Sequence, residues 1–142
     1  MYEEYSRQSL PPKKYRELLG SALCVFNSNN GFIIENILRN YKGDEYDWHS
    51  LIDRTSGELS QPIKENITKA SNTQIASKFY KIVEMRNRII HSFRITDKNN
   101  EQTLATKRKN GEQIIITEEY LYEFIKENEK LSSLLHDFRG EV

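Results

Sequence analysis

The sequence predicts a mainly α-helical domain with a small β-hairpin before its last helix. Apolar residues recur at helical spacing over most of the chain, and this spacing changes to a strand-like alternation only after His91. The dipeptide Asn110-Gly111 then lies between two short β-prone runs, which is typical of a tight hairpin turn. The length of 142 residues fits one domain, so we assign residues 1–142 to a single unit.

The N-terminal half is predicted to be helical after a polar start. Residues 1–11 form a flexible N-terminal arm, and a first helix runs from Pro12 to Asn29. The polar run Asn27–Gly31 predicts a break, after which Asn30 caps a second helix. A turn at Lys42–Asp44 precedes a short helix around Trp48, which closes near Gly57. A further helix then carries Leu59, Ile63 and Ile67, with Pro62 in its first turn.

The C-terminal half contains the longest amphipathic pattern. A helix runs from about Thr73 to His91, and residues 93–116 form a β-hairpin insertion with strands at 103–107 and 113–116. Thr117 caps a final helix that has acidic residues in its first turn. The single cysteine, Cys24, lies in an apolar stretch and is predicted to be buried.

The charge of the chain is balanced overall but unevenly distributed. The formal net charge is zero, yet the segment from Lys78 to Lys109 holds nine Lys or Arg and three acidic residues, a local charge of +6. Such a segment can present a phosphate-attracting surface, or it can be a solvated charged face. One cysteine and the absence of a long apolar run predict a cytoplasmic protein without a membrane segment.

One cation interrupts the apolar stripe of the helix that ends near His91. On an ideal helix Arg86 lies at about 20° from Ile75, in the middle of the stripe. A guanidinium among core residues is unfavourable unless it is paired, and it cannot lose its proton. Arg86 is therefore either a structural partner of a carboxylate such as Glu35 or Asp53, or a residue that awaits an anion in a pocket.

Asn87 and His91 lie four residues apart on the same helix and can touch. The Asn87 amide could then fix the orientation and tautomer of the imidazole, although a histidine at a helix end also interacts with the helix dipole. Arg86 and His91 are about 140° apart on a regular helix, so they do not obviously converge. Either the helix deforms near His91, or two copies of the chain pool their residues across a two-fold axis.

The segment Arg86-Asn87-x-x-x-His91 resembles the Arg-polar-x(3)-His motif of HEPN domains (higher eukaryotes and prokaryotes nucleotide-binding). The resemblance covers about 20 residues in detail and extends to the helical character of the rest. It implies a HEPN-like helical bundle and a metal-independent endoribonuclease, in which Arg86 and His91 are the catalytic pair and Asn87 is the supporting residue. It also implies a homodimer with the motif at its interface, a toxin or phage-defence role, and an antitoxin or effector partner.

The residues suit this chemistry, because RNA supplies its own 2′-OH nucleophile. An imidazole transfers protons near neutral pH, and an arginine stabilises negative charge on a phosphorane. We expect RNA as the partner, Arg88, Arg94 and Lys98 as phosphate-binding residues, and neither a metal nor another cofactor. The chain departs from antitoxin-paired toxins at Phe93, where many of these carry a tyrosine that can be modified. The alternative is a non-catalytic HEPN-like module that binds RNA or nucleotides, or mediates dimerisation.

Overall fold

Helices dominate the computed structural model, which describes residues 3–141, and one small antiparallel sheet accompanies them. The helices are α1 (Lys13–Asn40), α2 (Trp48–Ile52), α3 (Ser60–Ile63), α4 (Gln74–Ile90) and α5 (Glu118–Glu141). A 3-10 turn at Ser56–Leu59 precedes α3, and a π-helical turn at Lys64–Thr68 continues it. The strands are β1 (Phe93–Thr96), β2 (Gln102–Lys107) and β3 (Gln113–Ile116). Among the described helices, none is long and apolar enough to cross a membrane.

The first and last helices run in the same direction, side by side. Lys14 lies near Glu118 at their N-terminal ends, and the Asn29 amide donates 2.8 Å to the backbone oxygen of Asn128 further along. Helix α4 runs antiparallel to α5, because Lys78 contacts Glu127 while the later Met85 accepts from the earlier Tyr120. The three long helices therefore form the main layer of the fold.

The core fills the space between these three helices. Phe26 of α1 stacks on Phe79 of α4 and on Phe124 of α5, with ring centroids 6.3 and 6.1 Å apart. The apolar stripe of α4 faces the core, and its residues Ile75, Phe79, Ile82 and Ile89 are buried. Ile90 is the exception and is exposed. Ile90 is the last residue of α4, where the chain leaves the helix toward β1.

The sheet has three strands in the order β1-β2-β3 rather than the two of the predicted hairpin. The two predicted strands and their turn are confirmed: Gly111 has a φ of 89°, a backbone conformation that glycine tolerates best. The additional strand, β1, pairs Phe93 with Ala105. The sheet is fixed to the helical layer by the Tyr15 hydroxyl, which donates to the backbone oxygen of Ile116.

Two predictions in the first helix are wrong. The polar run at Asn27–Gly31 does not break the chain, because α1 continues to Asn40. Asn29 finds its hydrogen-bond partner in α5 and Asn30 accepts from Ser56, so these amides support the helix instead of ending it. Cys24 is exposed, since it lies about 200° around the helix from buried Ala22.

The described part of the N-terminal arm lacks regular structure but contacts the folded domain. Arg16 of α1 donates 2.8 Å to the backbone oxygen of Pro11 and forms an ion pair with Glu3. Arg94 of β1 donates 2.7 Å to the backbone oxygen of Ser9. The flexibility of the arm stays a prediction.

Candidate functional site

The last turn of α4 places the motif residues. The helix is regular through Ile90, and His91 forms its C-cap with φ −92° and ψ 24°. The backbone N–H of His91 donates 2.9 Å to the oxygen of Asn87, and Ser92 closes the end by donating from its hydroxyl to Ile89. The helix therefore does not deform before the histidine, and the first of the two explanations for its angle to Arg86 finds no support.

Arg86 lies against the aromatic core. Its guanidinium carbon is 4.8 Å from the centroid of the Phe26 ring, a distance that allows a cation–π interaction. Its buried Nε has no hydrogen-bond partner, and burial lowers the pKa of Arg86 below its usual value. The ion-pair partners considered from the sequence, Glu35 and Asp53, are both exposed, and within residues 3–141 no carboxylate forms a salt bridge with Arg86. The charge is thus not used in a structural ion pair there.

Asn87 and His91 lie on the outer side of α4. Asn87 is half-buried and His91 is exposed. Within the part of the chain that the structure describes, their side chains form no hydrogen bond with each other. The predicted orientation of the imidazole by the Asn87 amide is therefore absent from this single protomer, and only the backbone joins the two residues.

Large apolar side chains are exposed around these two polar residues. Tyr80 and Ile90 are each 51% exposed, and Phe93 is 39% exposed. By helical spacing, Tyr80, Asn87, Ile90 and His91 share one side of α4, and Phe93 follows directly at the start of β1. We call these five residues the motif face. An exposed patch that mixes large apolar and polar side chains is typical of an interaction surface.

The three cations predicted to hold flanking phosphates, Arg88, Arg94 and Lys98, contact different parts of the molecule. Arg88 donates 2.8 Å to the backbone oxygen of Lys107 and lies 3.5 Å from a Glu84 carboxylate oxygen. Arg94 is held by the N-terminal arm, as described above. Lys98 is exposed in the turn between β1 and β2, where it lines a cavity of about 530 Å³. The structure does not gather these three side chains around the motif.

Two groups of side chains to which the sequence analysis gave no role contact α4, one near Arg88 and one near Lys78. Arg108, Lys109 and Tyr120 surround Arg88 in a cavity of about 320 Å³. On the α5 side of α4, Glu127 is buried and accepts from Lys78 at 2.7 Å and from Lys81 at 2.8 Å. The basic run Lys107–Lys109 was a signal for the first group, whereas no local pattern marks the partners of Glu127.

The described residues offer no evident metal centre. Nowhere in the described part of the chain do three or more His, Cys, Asp or Glu side chains lie close enough to hold a metal ion.

Comparisons of this chain with known families, proteins and structures found no significant match. No protein-family model matches it, and neither a curated protein nor a solved structure is similar to it at a significant level. The resemblance to HEPN domains therefore rests on Arg86, Asn87 and His91, on their place at the end of a long helix, and on the mainly helical fold around them.

Proposed function

We propose that this protein is a metal-independent endoribonuclease of the HEPN type that acts as a homodimer. The observation that carries the proposal is the unpaired guanidinium of Arg86, five residues before an exposed histidine in the same helix. A half-buried cation without a carboxylate partner costs stability, so its presence on the core side of α4 fits a role toward an anionic ligand. A phosphodiester is an anion that Arg and His can both act upon.

The reaction we propose is transesterification by the RNA itself. The 2′-oxygen forms a bond to the adjacent phosphorus while the bond from phosphorus to the 5′-oxygen breaks. The His91 imidazole of one protomer accepts the 2′-OH proton, and the protonated His91 imidazole of the other gives a proton to the leaving 5′-oxygen. Arg86 stabilises the negative charge on the non-bridging oxygens. The products are a 2′,3′-cyclic phosphate and a 5′-hydroxyl, without loss or gain of atoms.

A two-fold dimer is the arrangement that fits the helix geometry. Arg86 packs on the core side of α4 while His91 is exposed, and the regular helix keeps them about 140° apart. Pairing of two motif faces would cover Tyr80, Ile90 and Phe93 and would bring the Asn87 and His91 side chains of both protomers to one cleft. We therefore propose that the site is completed by a second copy of the chain.

Cleavage in the presence of a chelator tests the proposal. The protein is incubated with mixed RNA and excess EDTA, and the product ends are identified by mass spectrometry. We expect 2′,3′-cyclic phosphate ends, and a loss of about 10²- to 10⁴-fold in rate for His91→Ala, because that variant removes the proton-transfer group. The matched control is His49→Ala, which removes another exposed histidine. Equal cleavage by both variants contradicts the assignment of His91.

A mixing experiment tests whether the site is shared. Arg86→Met and His91→Ala chains are co-expressed with different affinity tags, and the heterodimer is isolated. If one protomer supplies the arginine and the other the histidine, half of the sites in a heterodimer are intact, and about half of the wild-type rate returns. No recovery means that both residues act from one protomer.

A non-catalytic binding module is the second candidate. The contact of Arg86 with Phe26, and the absence of a bond between the Asn87 and His91 side chains, fit a surface that binds without positioning a proton. RNA binding without cleavage, equal in wild type and His91→Ala, supports this second function.

We further propose a toxin or defence role, with an antitoxin or effector as partner. An RNA-cutting enzyme damages the cell that makes it, so wild-type expression should slow growth while His91→Ala should not. Growth curves at matched expression levels provide the measurement. Equal growth for the two chains speaks against this role even if cleavage is seen in solution.

A further inference from the structure

A small basic cavity lies beside the motif, between α4, α5 and the hairpin of β2 and β3. We call it the hairpin cleft, and its lining residues are Glu84, Arg88, Arg108, Lys109, Ile114 and Tyr120. Its volume is about 320 Å³, enough for a small polar group such as a phosphate with its water. Arg88 belongs to the turn of α4 that immediately precedes His91, about 4.5 Å along the helix axis.

Arg88 is held in place by the hairpin. Its Nη1 donates 2.8 Å to the backbone oxygen of Lys107, the last residue of β2. Its Nε is buried without a hydrogen-bond partner and lies 3.5 Å from the Glu84 carboxylate, which is itself well exposed. The guanidinium is thus fixed beside the turn of the hairpin, and its one carboxylate partner is exposed to solvent.

The hairpin tip adds positive charge that is not neutralised locally. Lys109 is exposed and forms no salt bridge within residues 3–141. Arg108 lies 3.8 Å from Glu112, but both side chains are more than half exposed, so this pair is weak and easily exchanged for another anion. The cleft lining carries three cations and one carboxylate, a net charge of +2.

Tyr120 closes one wall of the cleft. Its hydroxyl donates 3.0 Å to the backbone oxygen of Met85, so the ring is held against α4. Burial raises the pKa of Tyr120 to about 12, and the group therefore stays neutral at physiological pH. A neutral wall beside three cations leaves the positive field of the cleft intact.

We propose that the hairpin cleft binds a backbone phosphate of the RNA next to the bond that is cut. This inference rests on the proposed function, and it assigns Arg88, Arg108 and Lys109 as a phosphate-binding set that positions the strand. Contacts to phosphates fix the register of a nucleic acid without reading its sequence. The hairpin would thereby place the scissile phosphate toward His91, one helical turn away.

Binding of a non-cleavable RNA tests the cleft independently of catalysis. A labelled single-stranded RNA of about 12 nucleotides with 2′-O-methyl groups lacks the nucleophile, and fluorescence anisotropy measures its affinity. We expect Arg108→Ala/Lys109→Ala to weaken binding about tenfold at low salt for all sequences alike. The slope of log affinity against log salt should fall by about 1.4, which corresponds to two phosphate contacts of a single strand.

The matched control is Lys64→Ala/Lys69→Ala, which removes two exposed cations from another element and changes the net charge equally. Equal weakening by both double variants, or none by the hairpin variant, overturns the proposal. A selective loss of affinity in a protein that does not cleave unmodified RNA supports the cleft and contradicts the ribonuclease. Cleavage by the hairpin variant with unchanged KM supports the ribonuclease and contradicts the cleft.

Discussion

Helix α4 brings cations toward the interior at two places, and their surroundings differ. In its N-terminal half, Lys78 and Lys81 both donate to Glu127 of α5, whose side chain is only 3% exposed. Near its C-terminal end, Arg86 lies on the Phe26 ring with no carboxylate in reach among the described residues. The cations of the first site are paired with a carboxylate, whereas Arg86 forms no ion pair among the described residues.

The two sites also differ in what shifts the pKa of their charged groups. The bonds from the two lysines lower the pKa of Glu127 to about 2, so this carboxylate stays ionised and joins α4 to α5. Burial alone lowers the pKa of Arg86, and an aromatic face compensates only part of the lost hydration. The Glu127 cluster thus joins two helices, whereas it is the proposed function that assigns Arg86 to a ligand.

The largest effect is expected at Arg86, where a substitution should change cleavage activity and stability in different ways. Replacing Arg86→Met should lower RNA cleavage about 10²- to 10³-fold, because a charge that stabilises the transition state is lost. The free energy of unfolding should stay the same or rise, since an unpaired cation leaves the core. Cleavage rates and urea unfolding measure the two quantities. Lys78→Met is the control, and it should lower stability and leave cleavage intact.

An intermediate effect is expected at Glu127. Replacing Glu127→Gln should reduce the free energy of unfolding by about 2 kcal/mol at pH 7, because two charge-assisted hydrogen bonds become weaker neutral ones. Cleavage should be unchanged. A stability within about 0.5 kcal/mol of wild type would mean that the exposed lysines are solvated well enough to need no partner.

The same carboxylate should make the fold sensitive to acid. A group whose pKa is depressed in the folded state contributes stability above its unfolded value, and this contribution is lost as the pH falls toward the folded value. For Glu127 the loss should occur between about pH 4.5 and pH 2. Urea unfolding at several pH values should show a shallower acid decline for Glu127→Gln than for wild type. Parallel curves would remove Glu127 as a source of acid sensitivity.

The smallest expected effect concerns the aromatic face under Arg86. A double-mutant cycle of Phe26→Leu and Arg86→Met should give a coupling energy of about 0.5–1 kcal/mol, the size of a partly solvated cation–π pair. Phe26→Leu alone should destabilise the fold more than this, because it also disturbs the stack with Phe79 and Phe124. A coupling near zero would leave Arg86 without a favourable contact in the core.

Local patterns predicted most of the fold. The amphipathic stretches predicted both ends of α4 and the start of α5 to within about two residues, and Asn110-Gly111 marked the turn between β2 and β3. The error at Asn27–Gly31 has a long-range cause, since Asn29 is satisfied by a residue almost a hundred positions later in the chain. Local residue propensities carry no information about such a distant partner. Buried amides such as Asn29 are therefore predicted to be loop residues.

The sequence was sufficient to name the residues of the candidate site, but not to predict how they are arranged in space. The position of Arg86 in an apolar stripe showed that the charge needed an explanation, and the structure supplies Phe26 as its neighbour. The grouping of Arg88 with Arg108, Lys109 and Tyr120 depends on how the hairpin packs on α4 and α5. That packing follows from tertiary contacts, which the spacing of residues along the chain does not encode.

The parallel pairing of α1 with α5 has a consequence for when the core around Arg86 forms during synthesis of the chain. Phe26 emerges from the ribosome before one of its stacking partners, Phe124, which follows about a hundred residues later. Contacts so distant in sequence form late, because the intervening loop must close first. A nascent chain therefore cannot complete the aromatic surroundings of Arg86 until α5 has left the ribosome.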